Sequence, residues 1–143
     1  MKQISDARRA REAAALLALT LSLAACAAQP TCVAPASRAT QVDLYFGRDI
    51  AGSGEVSDAQ WAQFLDQEVT LRFPAGLTVS DARGQYRDTT TGRIDRERSK
   101  RLTILVADMT SARPALDAVA EAYKKRFQQK SVLRIEAPVC AAF

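Results

Sequence analysis

Strand-like and helix-like stretches follow one another in this chain in the order β-α-β-β-α-β, which predicts an α+β fold. The arrangement that this order favours is a ferredoxin-like sandwich, two helices on one face of a four-stranded antiparallel sheet. Three observations carry it: period-two alternation in four places, helical spacing of apolar residues in two, and a turn signal joining the middle strands.

Val42, Leu44 and Phe46 alternate with Gln41, Asp43 and Tyr45, so a two-faced first strand is expected, with one folded domain over 41–143. Residues 47–54 hold three glycines and read as a loop. Ser57 and Gln60 have the spacing of a capping box, in which each side chain satisfies the other residue's free backbone N–H. Trp61, Phe64, Leu65 and Val69 continue that helix until Phe73-Pro74-Ala75-Gly76 stops it. Alternation resumes over 77–87, Thr90-Thr91-Gly92 supplies a turn, and a strand returns from about Arg96 through Val106, giving a hairpin. From Ser111 to Gln129, Leu116, Val119, Ala120, Tyr123 and Phe127 share one stripe, and Pro114 falls in the first turn, where its missing N–H costs little. Residues 131–136 form the last strand. Val42, Leu44, Phe46, Leu102, Ile104, Val106, Leu133 and Ile135 are then expected to meet the helices. Asp43, Tyr45, Thr78, Ser80, Tyr86, Glu97, Ser99, Arg101, Thr103, Arg134 and Glu136 are expected on the uncovered face.

Ahead of the domain the chain has a different character. Lys2, Arg8, Arg9 and Arg11 precede an uncharged run from Ala13 to Leu23, too short to span a bilayer, which takes about 20 residues. Leu23-Ala24-Ala25-Cys26 closes that run and resembles the lipobox of bacterial lipoproteins. Residues 1–25 are therefore expected to be a signal peptide and Cys26 the lipidation site. Partnership with the membrane through diacylglycerol on Cys26 follows, because two acyl chains anchor stably where one does not. Residues 26–40, rich in Ala, Pro, Ser and Thr, read as a flexible tether. By likeness to Gram-negative lipoproteins, Ala27 rather than aspartate after the cysteine favours the periplasmic side of the outer membrane in such a host. With Cys26 carrying lipid, Cys32 and Cys140 remain as an even pair outside the cytoplasm and are expected to form a disulfide.

Composition narrows the chemistry. The 143-residue chain has no histidine, which removes serine-histidine and cysteine-histidine catalysis and histidine metal sites. No metal set, cofactor motif or catalytic constellation stands out. Gly52-Ser53-Gly54 lies where phosphate-binding loops occur, but it lacks the Lys-Ser/Thr of a P-loop. The formal charge of +4 includes a surplus of two in the leader, where four cations face Asp6 and Glu12, so the remainder points to no nucleic-acid partner.

The uncovered sheet face is the candidate working surface. Tyr45, Tyr86, Glu97, Ser99 and Arg101 are its candidate ligand residues, and Glu97 with Tyr86 is the one acid-base pair worth naming. With Leu105 and Val132 the same face reads as a homodimer surface. A solvated face stands beside both readings. The run Arg93-Ile94-Asp95-Arg96-Glu97-Arg98-Ser99-Lys100-Arg101 has the guanidinium groups to hold an anion, but its interleaved Asp95 and Glu97 favour internal pairing on a solvated hairpin arm. Lys124, Lys125, Arg126 and Lys130 suit the end of the second helix, where cations oppose the helix dipole.

Thr70-Leu71-Arg72-Phe73-Pro74-Ala75-Gly76-Leu77-Thr78 resembles T-P-R-F-P-D-G-L-T, the signature of an uncharacterised bacterial family, domain of unknown function 3574. Leu71 and Ala75 depart from that pattern. The likeness runs from Asp43-Leu44-Tyr45-Phe46-Gly47 through Gly84-Gln85-Tyr86-Arg87 to Phe127. It implies a small bacterial envelope protein and brings no activity, substrate or catalytic residue.

Overall fold

The computed structural model describes residues 31–50 and 54–143; the leader and Cys26 lie outside the described residues. Strand β1 (Ser37–Gly47) is followed by two short strands, β2 (Asp49–Ile50) and β3 (Gly54–Glu55), within the segment expected to be a loop. Helix α1 (Asp58–Phe64) continues as one π-helical turn over Leu65–Val69, then β4 (Thr78–Arg87) and β5 (Ile94–Val106) form the hairpin. Helix α2 (Met109–Phe127) and β6 (Leu133–Ala141) complete the chain. The main sheet has the order β4-β5-β1-β6, antiparallel throughout, with β2 and β3 as a separate ribbon. This is the ferredoxin-like arrangement that the order of elements predicts.

Local chemistry explains the element ends. The capping box is present, with Ser57 Oγ accepting from Gln60 N–H at 3.2 Å and Gln60 Oε1 accepting from Ser57 N–H at 2.9 Å. Asp108 caps α2 by accepting from Thr110 N–H at 2.9 Å, and Gln128, with φ of 53°, ends it in the left-handed conformation.

Two strands sit centrally, and their helix-facing residues form the core. Val42, Leu44 and Phe46 of β1 are fully buried beside Leu102, Ile104 and Val106 of β5. Phe46 lies 5.2 Å from the ring of Trp61, 5.9 Å from Phe64 and 4.7 Å from Tyr123, centroid to centroid, in tilted and edge-on geometries that suit aromatic quadrupoles. The Tyr123 hydroxyl donates to the Gly47 carbonyl at 2.8 Å, and burial pushes its pKa up.

Charge is also buried at one edge of this core. Arg48 is 4% exposed; its Nε donates to Val56 O at 2.8 Å, and its guanidinium meets Glu55 at 3.0 Å and Asp58 at 3.1 Å. Lys100 reaches Asp58 at 3.0 Å and Asp81 at 2.6 Å, and those carboxylates raise its pKa. The network fastens the β2–β3 ribbon and the start of α1 to the sheet.

Three expectations are corrected. Leu133 and Ile135 do not meet the helices, and Arg134 and Glu136 do not face the uncovered side: register pairs Leu133 with Tyr45 and Ile135 with Asp43, which puts β6 in the opposite phase. Arg134 bonds Asp117 of α2 at 2.6 Å, and Glu136 meets Arg113 of α2 at 3.1 Å. The reason is that β6 is an edge strand, so its helix-side residues reach the polar flank of α2 and not the core. Val132, expected beside Leu105, packs against the core instead.

Cys32 and Cys140 form a disulfide, with Cα atoms 5.5 Å apart and 108 residues between them in sequence. It joins the segment preceding β1 to the end of β6, beside the backbone pairing of Arg38 with Cys140. Ordered strand begins at Ser37, four residues before the expected domain start at Gln41.

Candidate functional site

Both described helices lie on one side of the sheet, and strand alternation leaves every second side chain of β1, β4, β5 and β6 on the other. Register assigns these to rows. Thr78, Thr103, Asp43 and Ile135 form one, and Ser80, Arg101, Tyr45 and Leu133 form the next. Leu105 sits opposite Gln41, Ser99 opposite Gly47, Glu97 opposite Gly84, and Tyr86 opposite Asp95 on the hairpin arm.

The centre of the face is Asp43. Although no helix among the described residues covers it, Asp43 is only 6% exposed, because its neighbours close over the carboxylate. It accepts from Gln41 Nε2 at 2.9 Å, from Arg101 at 2.7 Å and from Thr103 Oγ1 at 2.6 Å. The Arg101 guanidinium, with help from Thr103 and Gln41, holds its pKa down to about 2. Arg101 in turn stacks toward the Tyr45 ring, 5.9 Å from its centroid.

Since the folded-state pKa of Asp43 lies below its ordinary value of 3.8, its stabilisation is present above about pH 4 and is lost as pH falls toward 2. The shift corresponds to about 2 kcal/mol. Asp43→Asn is expected to lower stability near neutral pH and to flatten the dependence between pH 4 and 2, measured by urea unfolding across that range. A wild type whose stability is level through that window would contradict the assignment.

Glu97 occupies a second feature. A Cβ at Gly47 would collide with the Glu97 carboxylate, so the absence of a side chain there makes its seat. Desolvation raises the Glu97 pKa, and the hydrogen bond from the Asp49 backbone N–H opposes that only in part. Glu97 thus turns toward the backbone at Gly47–Asp49 and not toward Tyr86, which stands 59% exposed on the arm. The structure gathers Tyr45, Arg101, Ser99 and Glu97 along successive same-face rows and leaves Tyr86 at the periphery.

Asp43 was placed on this face by sequence reasoning but not among the candidate ligand residues. Two polar side chains two apart, Gln41 and Asp43, in a segment whose alternate residues Val42, Leu44 and Phe46 are apolar, are the available signal. Three exposed aliphatic residues share the face with these polar groups: Leu133 is 58% exposed, Ile135 45% and Leu105 40%.

The family model for a protein of unknown function, DUF3574, matches residues 41–143. The chain belongs to that family. No curated protein matches it. Among solved structures, it is similar to a phage SAM lyase in complex with S-methyl-5'-thioadenosine, with TM-score 0.52, 13% identity, and coverage of 72% of this chain and 90% of that one. The same lyase in its apo state gives TM-score 0.52, 12% identity, 81% and 98%. The GlnK–ATP complex of B. subtilis gives TM-score 0.41, 14% identity, 68% and 83%. At such identities the likeness to the lyase is one of fold.

Proposed function

We propose that this DUF3574 protein is a lipid-anchored protein of the bacterial cell envelope that works by binding through the uncovered face of its sheet, with a second copy of itself as the partner. The anchor is Cys26, read from Leu23-Ala24-Ala25-Cys26 behind a charged and then apolar leader. The Cys32–Cys140 disulfide supports a compartment outside the cytoplasm.

One observation carries the binding role. Leu133, Ile135 and Leu105 stay exposed around a charge pair, Asp43 with Arg101, whose opposite charges meet within the face. Such a surface gains by covering its apolar residues and brings no unpaired charge against its own image, so a self-complementary two-fold contact suits it. Ile135→Lys is expected to convert a dimer to a monomer in sedimentation equilibrium without lowering the melting temperature by more than a few degrees. A wild type that stays monomeric at about 100 µM would remove the self-association.

A small-ligand or enzymatic site on the same face is the second reading. It draws on Arg101 Nε, buried and without an acceptor among the described residues, and on the raised pKa of nearby Glu97. A monomer that protects Arg101 and Tyr45 only when a small molecule is added would favour it.

A further inference from the structure

Strand β1 ends at Gly47, opposite Ser99, but β4 and β5 go on pairing from Arg83 with Arg98 out to Arg87 with Ile94. The result is a two-stranded arm beyond the end of β1. Its charge run, mixed in sequence, is sorted by strand alternation. Asp95 and Glu97 take the uncovered side, while Arg96 and Arg98 take the other, where register adds Arg83 and Arg87 of β4.

Internal pairing, the expectation from sequence, holds for Arg93 with Asp95 at 2.8 Å but not for the opposite side of the arm. Of the four guanidinium groups there, Arg98 alone meets a carboxylate among the described residues, Glu55 at 3.3 Å, which also serves the buried Arg48, while Arg87 Nε donates to the Gly92 carbonyl at 3.3 Å. Asp81 is already engaged by Lys100. Arg83, Arg87, Arg96 and Arg98 are all exposed. Arg83 and Arg98 are direct cross-strand partners, a placement in which like charges repel, and both line a hollow of about 340 Å³ with Asp81, Ala82 and Ser99.

We infer that the Arg83/Arg98 hollow, extended along the arm by Arg96 and Arg87, is a binding site for a phosphate-bearing anion. The cation type and the pairing both point there. Every basic residue from Arg83 to Arg98 is arginine, whose planar fork donates two parallel hydrogen bonds to an oxyanion where lysine offers a point charge. Two forks facing each other across strands suit a tetrahedral phosphate, which has oxygens for both, better than a carboxylate, whose two oxygens one fork uses up. Arg96 stands one same-face row further along the arm, about 7 Å away, within reach of a second phosphate of the same ligand. Ligand charge also relieves the repulsion that the register imposes.

The test uses the purified full chain with Cys26→Ala in every sample, so that an acyl anchor does not itself carry the protein to vesicles, with inorganic tripolyphosphate as a soluble probe in calorimetry and phosphatidylglycerol vesicles as a headgroup probe in flotation. Saturable binding is expected, at least tenfold weaker in Arg83→Gln/Arg98→Gln and several-fold weaker in Arg83→Lys/Arg98→Lys, but unchanged in Lys125→Gln/Lys130→Gln. Binding of tripolyphosphate assigns a soluble anion, and binding of vesicles alone assigns a phospholipid headgroup; both support the site. Without ligand, Arg83→Gln/Arg98→Gln should melt at the same temperature as wild type or higher, which separates lost binding from lost folding. Absence of saturable binding to either probe, full affinity in the lysine pair, or equal loss in the Lys125 and Lys130 variant overturns the inference.

Discussion

Phe46→Ala is expected to destabilise the domain by about 3–5 kcal/mol, the usual range for truncating a buried phenylalanine. Three features put this position at the top of that range. Phe46 is fully buried, it lies on a central strand paired on one side through Lys100, and its ring touches Trp61, Phe64 and Tyr123 together. No neighbour can collapse into the space without breaking ring packing elsewhere, since Tyr123 is also held by its bond to Gly47 O. For a domain near this size, each kcal/mol moves the melting temperature by roughly 4–8 °C. A fall of more than 10 °C by calorimetry is therefore expected, and a fall below about 3 °C would mean that the aromatic cluster is not the centre of the core.

Loss of the disulfide should have the second largest effect. The Cys32–Cys140 bridge closes a loop with a sequence separation of 108, for which chain entropy gives roughly 4.7 kcal/mol, and about 2–4 kcal/mol is typical of measured bridges. Its local consequence follows from topology. Strand β6 pairs only with β1, and its last residues, Pro138 to Ala141, sit beside Ser37 to Thr40, past the last residue of β5 in the pairing apart from Thr40 with Val106. That corner has little else to hold it. Cys32→Ala or reduction is expected to lower the melting temperature by about 10 °C or more and to speed amide exchange at Val139 and Ala141 before the rest of the sheet. Unchanged melting and exchange would show that the corner is held without the bridge.

These two cases also mark what the residues announce and what they do not. Strict alternation in Val42-Asp43-Leu44-Tyr45-Phe46 identifies both the strand and its buried side, because Val42, Leu44 and Phe46 all lie in the part of the strand that the core covers completely. Ser57 and Gln60 fixed the start of α1 through a bond pattern that depends only on local spacing. The phase of β6 was not legible. Leu133 and Ile135 look like core residues, and only the ion pairs of Arg134 and Glu136 with α2 decide that they are not. Periodicity gives the two faces of an edge strand without saying which is inside.

The same limit applied to the candidate surfaces. Tyr45, Ser99, Arg101 and Glu97 were assigned to one face from alternation alone, yet their hub, Asp43, gains its role from residues 58 and 60 positions away, Arg101 and Thr103. On the arm, Asp95 and Glu97 interleave with Arg96 and Arg98 in sequence and cancel them in a one-dimensional reading. Pleating then separates the two signs onto opposite sides, and Arg83 and Arg87 arrive from the other strand.

The proposed envelope location and membrane partner rest on Cys26 as the anchor. The direct measurement is intact mass with membrane fractionation after expression in a Gram-negative host, comparing the wild type with Cys26→Ala. The account predicts that the wild type begins at an acylated Cys26 and sediments with membranes, and that the variant carries no acyl mass and leaves the membrane fraction. Soluble, unacylated protein of equal processing in both cases would contradict the anchor and make this a freely diffusing domain.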